Sequence, residues 1–457
     1  MVKSPALARS VAVFLALSPF AAPFAPVGAQ DAAPDAAAKP PEVLFRNVRV
    51  FDGHSDRLSG PVNVSVKDGT IAAIGAGITA GSGALVIDGR GRTLMPGLID
   101  VHVHLTFSAL TEPQLLAPDL TPQKAEQAAA VQSKAMLLRG FTAVRDMGGP
   151  IFGLKAGIDA GKYEGPRIWP SGAVISQTSG HGDFRLPNEP SRRFFGKPSR
   201  AEQLGATFIA DGRDEVLTAT RENLRFGASQ IKLMAGGGSS SEYDPLDVTQ
   251  YLPEEISAAV AAAEDWGTYV TVHAYTPRAV RRAVEAGVKC VEHGQLLDEA
   301  TVQMLADRGV WLSMQNLPPP LPSDPPDRLA NKLKVRAGAD QVWAWAKKDH
   351  VKIAWGTDFL FRPEENAEQN AYILRLKQWF TNAEILKLVT YDNAQLLALS
   401  GERAPYKGKL GVVEQGALAD LILVNGDPLS NIELIGDPGR NFSAIMKGGK
   451  LYKREGV

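Results

Sequence analysis

Eight short apolar runs punctuate the middle of the chain: Thr93–Ile99, Thr142–Arg145, Arg167–Ser171, Gln230–Met234, Tyr269–Val272, Cys290–Glu292, Trp311–Ser313 and Lys352–Trp355. Between them lie helical stretches, among them Gln123–Leu138, Asp214–Phe226, Pro253–Trp266 and Asp340–Asp349, with Gly140, Gly227, Gly267 and Gly287 placed as C-terminal stops. Strand and helix in alternation are the signature of βα units on a parallel sheet. Eight units are the number that closes a (β/α)8 barrel of the TIM type, so the expected class is α/β. In such a barrel, side chains that do chemistry sit where the strands end.

The chain ends have another texture. Val43–Phe51 and Val62–Lys67 alternate apolar and polar residues between the turn signals Asp52-Gly53 and Asp68-Gly69, and the pattern returns in Ala419–Val424 and Ala444–Tyr452. A small β-sandwich built from both ends is expected, with residues 42–92 and 406–457 flanking a barrel over 93–405. Ahead of it, Lys3 and Arg9 precede the apolar stretch Val11 to Ala22, and Val27-Gly28-Ala29 offers a cleavage site before Gln30. Residues 1–29 therefore read as a signal peptide, which sends the chain to the periplasm or outside the cell. Pro19, Pro23 and Pro26 interrupt the stretch and argue against a membrane anchor. Residues 30–41, rich in Ala, Pro and Asp, read as a flexible leader.

Acidic and basic side chains nearly balance, 50 against 49, so there is no basic footprint for nucleic acid or anionic lipid. The expected partner is a small molecule or short peptide. Cys290 is the one cysteine, which excludes an intrachain disulfide, and it reads as core of the sixth strand.

The histidines carry the strongest functional signal. Of seven, four fall at strand ends: His102 and His104 after the first, His273 after the fifth and His293 after the sixth. In extended backbone, residues i and i+2 face the same way, so His102 and His104 can present two imidazoles to one ion. Asp358 follows strand eight in Gly356-Thr-Asp358 and is read either as metal ligand and proton acceptor or as a helix cap. Lys232 lies in the apolar run Gln230-Ile-Lys-Leu-Met234. A buried ammonium finds a carboxylate partner or loses its proton, and a neutral lysine can add carbon dioxide to form a carbamate able to bridge two cations. Two cations with a carboxylate base fit metal-assisted hydrolysis.

Leu94-Met-Pro-Gly-Leu-Ile-Asp-Val-His-Val-His104, the Gly-Thr-Asp after strand eight and the closing segment Gly408–Val424 together resemble the amidohydrolase superfamily. The resemblance implies that His102, His104 and Asp358 hold a buried metal, that His273 and His293 hold a more exposed one, and that a carbamylated Lys232 bridges them. It implies two divalent ions, usually zinc, with manganese, cobalt or iron also compatible, and a homo-oligomer of octamer-like assembly. Gly165-Pro-Arg-Ile-Trp-Pro-Ser-Gly172 and Ser179-Gly-His-Gly-Asp183 are similar to the imidazolonepropionase-like branch, which includes Xaa-Pro and Xaa-Arg dipeptidases and carboxypeptidases and resembles ochratoxin-hydrolysing amidases. By that resemblance His181 serves near the substrate carbonyl or carboxylate.

The expected activity is hydrolysis of an amide bond next to a free carboxylate, as in a dipeptide, an N-acyl amino acid or an ochratoxin-like amide. A cyclic-amide hydrolase, and a catalytically silent ligand-binding barrel, are the alternatives. Tyr243, Arg185 and Arg145 are candidate partners for the carboxylate. Asp146 is expected to orient a ligand, and the Pro-rich segment Leu317–Pro326, with Trp311 and Met314 nearby, to wall an apolar pocket. His54 and His350 lie away from every strand end.

Overall fold

The structure, a computed structural model, describes residues 42–241, 243–316, 319–320 and 324–456. The expected signal peptide and the whole of the expected leader lie outside the described residues, as does part of the Pro-rich segment.

The middle of the chain folds as βα units with parallel strands, as its periodicity requires. Leu98–Val103, Phe141–Asp146 and Arg167–Pro170 form one sheet of three strands. A second, of seven, runs in the order Thr207–Ile209, Val174–Ser176, Ile231–Met234, Val270–Ala274, Cys290–His293, Trp311–Met314, Lys352–Trp355. The register is close to level along each. Val103 pairs with Asp146 and Asp146 with Pro170, while Met234 pairs with His273, Ala274 with His293 and Met314 with Trp355. The C-terminal ends of neighbouring strands therefore come out together, which gathers residues distant in sequence.

Three expectations about the barrel need correction. The expected closed eight-strand ladder is, among the described residues, two parallel sheets. The ladder breaks after Pro170, where Gly172 turns the chain at φ +77 into the extra strand Val174–Ser176. Single backbone bonds cross the two seams, Ser229 N to Pro170 O at 2.7 Å and Asp358 N to His102 O at 2.8 Å. The expected first strand Thr93–Ile99 is two strands. Thr93–Pro96 pairs with Leu421–Val424 and with Arg49-Val50, and only Leu98–Val103 joins the parallel sheet. Gly97 makes the transfer, because a Cβ there would sit 2.1 Å from Thr142 Oγ1. The last expected helix starts earlier, as Pro326–Lys348. Its first half buries few apolar residues, so periodicity understates it.

The other helices match their signals to within a residue or so. Gly140, Gly227, Gly267 and Gly287 all stop them at positive φ. Both chain ends meet in one mixed sheet, in which Val43–Val50 pairs antiparallel with Val62–Lys67, and Leu421–Val424 antiparallel with Phe442–Lys447. No helix among the described residues is long and apolar enough to cross a membrane.

Candidate metal centre and cavity

Asp100, His102 and His104 alternate along the first parallel strand and its end, so their side chains share one side. His102 Nε2 and His104 Nε2 both lie 3.3 Å from Asp358 Oδ1. The ligand atoms of these three residues all fall within 4.8 Å of one another. No helix begins at Asp358, the next helical segment being Pro363–Glu368, so the helix-cap alternative does not hold. Asp358 takes the left-handed backbone at φ +56, and His293, at the end of Cys290–His293, does the same at φ +74. Such geometry in residues with a Cβ is costly and clusters where side chains must be aimed.

The remaining candidates close the group. The His293 ring centroid is 5.1 Å from that of His102 and 4.4 Å from that of His273, and His293 Nδ1 is 3.9 Å from Asp358 Oδ2. Lys232 Nζ stands 3.5 Å from His102 Nε2, and among the described residues it makes no ion pair with a carboxylate. The six residues named from sequence as metal ligands thus come together on one cavity, Lys232 from inside the strand Ile231–Met234 and the others from strand ends or just beyond. Two observations fit divalent cations there. His293 Nδ1 is buried with no hydrogen-bond partner among the described residues, which costs about 1–3 kcal/mol unless something supplies one. The donors are imidazole nitrogen and carboxylate oxygen, the set that zinc and its neighbours accept.

Electrostatics favour metal-ready protonation states. Burial is the largest influence on His102 and pushes it down to about 4, with the Lys232 charge adding to the effect. Burial also drives His273 and His293 well below the usual imidazole range, and lowers the Lys232 ammonium. For Asp358 burial opposes the charge, yet the surrounding imidazoles, His102 foremost, hold the carboxyl below its ordinary range. Neutral imidazoles and an ionised carboxylate are the forms that ligate.

Sequence reasoning missed the supporting carboxylate of Asp100. It accepts from His102 N at 3.1 Å and from Thr357 N and Oγ1 at 3.2 and 2.7 Å, tying the first strand to the loop that carries Asp358. The signal was there, since Asp100 stands two residues before His102 in extended backbone. Asp146, expected to orient a ligand, reaches His104 only through the neighbouring backbone. It accepts from Leu105 N and Gly148 N, and the Gly148 carbonyl faces His104 Nδ1 at 3.1 Å. Burial raises the Asp146 carboxyl to about 7.

His181 lies over the centre, its ring stacked on His273 at 3.8 Å. Its Nδ1 is 2.9 Å from Ser241 Oγ and 3.2 Å from the buried Asp244 Oδ2, which also accepts from Gly238 N at 2.7 Å. The residues of the centre and His181 line a cavity of about 560 Å³. Tyr243 and Arg185 also line it, Arg185 already bound to Asp183 through both nitrogens of its fork.

Arg145 does not reach the cavity. It is fully buried and donates to Glu292 Oε1 at 2.7 Å, so it is no partner for a substrate carboxylate. Trp311 and Met314 do not line the pocket either. Trp311 packs with Tyr269 and Cys290 in a buried cluster, and Met314 belongs to the main core. Of the expected Pro-rich segment, Pro319 does line the cavity, and the rest of the apolar wall includes Phe107, Phe184, Phe359 and Phe361, with Phe107 stacked on His104 at 5.6 Å. Sequence pointed to the strand interior because it could not tell which loop aromatics fold back over the site.

Comparison with known proteins places this geometry. The model of the amidohydrolase family matches residues 93–452. The ochratoxinase of Aspergillus niger is 31% identical over 384 residues, covering 80% of this chain and 76% of that protein. Among solved structures, a prolidase complexed with N-methylphosphonate-L-proline is 32% identical with a TM-score of 0.82, over 91% of this chain and all of the other. A Xaa-Pro dipeptidase with methionine in its active site is 26% identical with a TM-score of 0.74, over 90% of this chain and all of the other. The chain belongs to the amidohydrolase family, as a hydrolase that acts on amide bonds.

Proposed function

We propose that this hydrolase uses two divalent cations, most simply zinc, to cleave an amide bond adjacent to a free carboxylate in a dipeptide, an N-acyl amino acid or an ochratoxin-like amide. The observation that carries the reading is the convergence of four imidazoles, one carboxylate and one buried lysine beneath a cavity of about 560 Å³. A silent ligand-binding barrel would have no use for a buried imidazole nitrogen that lacks a hydrogen-bond partner among the described residues and lies beside an ionised carboxylate. In this reading residues 93–405 are the catalytic (β/α)8 barrel and the chain ends its β-sandwich, with Thr93–Pro96 as the strand that passes the chain from one to the other. A signal peptide over residues 1–29 would place the enzyme in the periplasm or outside the cell.

His102, His104 and Asp358 would hold one cation, His273 and His293 the other, and a carbamate on Lys232 would reach both. Bound there, the cations supply Lewis-acid polarisation of the carbonyl and ready ionisation of water. Asp358 takes the proton of the attacking water on a carboxylate oxygen and returns it to the leaving nitrogen. His181 has Nδ1 occupied by Ser241 and Asp244, which leaves Nε2 for the substrate carbonyl or carboxylate. Tyr243 and Arg185 are placed to meet the carboxylate, and the phenylalanine wall keeps water from the side chain beside it.

The test compares an N-acyl amino acid with its C-terminal methylamide. The reading expects release of the amino acid from the free acid and a rate at least about 100-fold lower for the capped compound, since a site built to bond a polar group rejects an analogue that leaves it unpaired. Equal rates would refute the carboxylate requirement and favour the cyclic-amide alternative.

A further inference from the structure

The Arg145–Glu292 pair is fully buried and outside the cavity, and the chemistry above does not use it. Its placement gives it a task. Glu292 Oε1 accepts from Arg145 Nη2 at 2.7 Å, Thr271 Oγ1 at 2.5 Å and Cys290 Sγ at 3.3 Å. The other oxygen, Oε2, faces His102 Nδ1 at 2.8 Å. Arg145 is itself fixed, donating to Val101 O at 2.6 Å and to Tyr269 Oη at 2.9 Å. Four parallel strands thus hold one carboxylate against one ring nitrogen.

We infer that Glu292, held by Arg145, is a positioning residue that keeps the proton of His102 on Nδ1 and aims the lone pair of Nε2 at the metal. The inference rests on the proposed role of His102 as a ligand. An ionised carboxylate only accepts, so Nδ1 has to donate. Gln315 Nε2 also lies 3.1 Å from Nδ1 and as a donor would favour the opposite tautomer. The shorter, charge-assisted contact to Glu292 prevails. With Nδ1 protonated, Nε2 is bare on the side where Asp358 Oδ1 stands at 3.3 Å. Arg145 makes the arrangement affordable, because a lone carboxylate in this interior would otherwise be strongly disfavoured.

Single substitutions would leave a buried charge unpaired, so the test uses two double variants, R145M/E292M and R145M/E292Q. Both remove the ion pair, but only the glutamine retains an acceptor for His102. Affinity of the metal-free protein for Co2+ is read by competition with a chromophoric chelator. The expected result is 10–100-fold weaker binding by R145M/E292M, the range seen when a partner of a ligating histidine is lost, and affinity near that of the unchanged protein for R145M/E292Q. Equal affinities in the two variants, whether high or low, would overturn the inference. Nitrogen-15 spectra of sedimented, histidine-labelled, metal-free protein give a readout that needs no metal. They should assign the His102 proton to Nδ1 in the unchanged protein and release it from that position in R145M/E292M. A proton on Nε2 in the unchanged protein would overturn the inference. Failure of the unchanged protein to take up Co2+ would refute the metal-dependent reading instead, and the nitrogen spectra would then decide the tautomer alone.

Discussion

Replacing Gly356 with Ala tests whether the seam between the last and first parallel strands sets the geometry of the site. Gly356 lies two residues before Asp358, and a Cβ there would sit 2.4 Å from His102 N, 2.5 Å from His102 Cβ and 2.8 Å from Asp100 Oδ1. Two of these neighbours are the backbone and Cβ of a candidate ligand, so no flexible side-chain tip can give way. Ordinary contact begins at 3.4 Å, so the strands must part by about 1 Å. That displacement separates Asp358 from His102 and His104, which it now meets at 3.3 Å. A 1 Å misplacement costs about 100-fold in rate, or about 2.7 kcal/mol of barrier, and overpacking costs about 1–3 kcal/mol of stability. The control is Gly77→Ala, where nothing lies within 4 Å of the added carbon. Initial rates and thermal melting of both variants would be measured side by side. If Gly356→Ala keeps more than a third of the rate and melts with the control, the seam does not govern the site.

Asp358→Asn should lower turnover by at least about 100-fold, since it removes both a ligand charge and the proton acceptor; initial rates near those of the unchanged protein would show that another group moves the proton. Reconstitution of the metal-free protein in bicarbonate-free buffer should lower metal uptake, as should Lys232→Met, and an unchanged metal content would count against the carbamate. Burial depresses Lys447 to about 8 from an ordinary 10.5. Between those values the unfolded chain binds more protons than the folded one, so this lysine makes stability rise with pH, by up to about 3 kcal/mol across the window. Lys447→Met should therefore stabilise the protein most below pH 8 and lose that advantage by pH 10.5, and denaturant midpoints that differ by a constant amount across that range would refute the assignment.

The candidate site was legible because its candidate ligands are set by local rules. An i, i+2 histidine pair, two histidines ending apolar runs and an Asp after strand eight needed no knowledge of distant contacts, and the level register of parallel strands brought them together. What sequence could not supply was pairing. Arg145 was a candidate partner for the substrate carboxylate, but it pairs with Glu292, 147 residues away, and both are buried. Trp311 sits near a strand end in sequence, yet its side chain turns into a buried cluster with Tyr269 and Cys290. The transfer at Gly97 was hidden because both halves of Thr93–Val103 are apolar and extended, and only their partners tell them apart. Asp100 and Glu292 stand in buried strands beside the candidate ligands, where a carboxylate is costly and therefore informative.

A two-metal centre is tested most directly by metal content. Elemental mass spectrometry of the purified protein, before and after reconstitution with Zn2+, should give about two equivalents per chain in a form that hydrolyses amides, with activity lost on chelation and restored by the ion. A protein that hydrolyses amides at full rate with no bound metal would contradict the account.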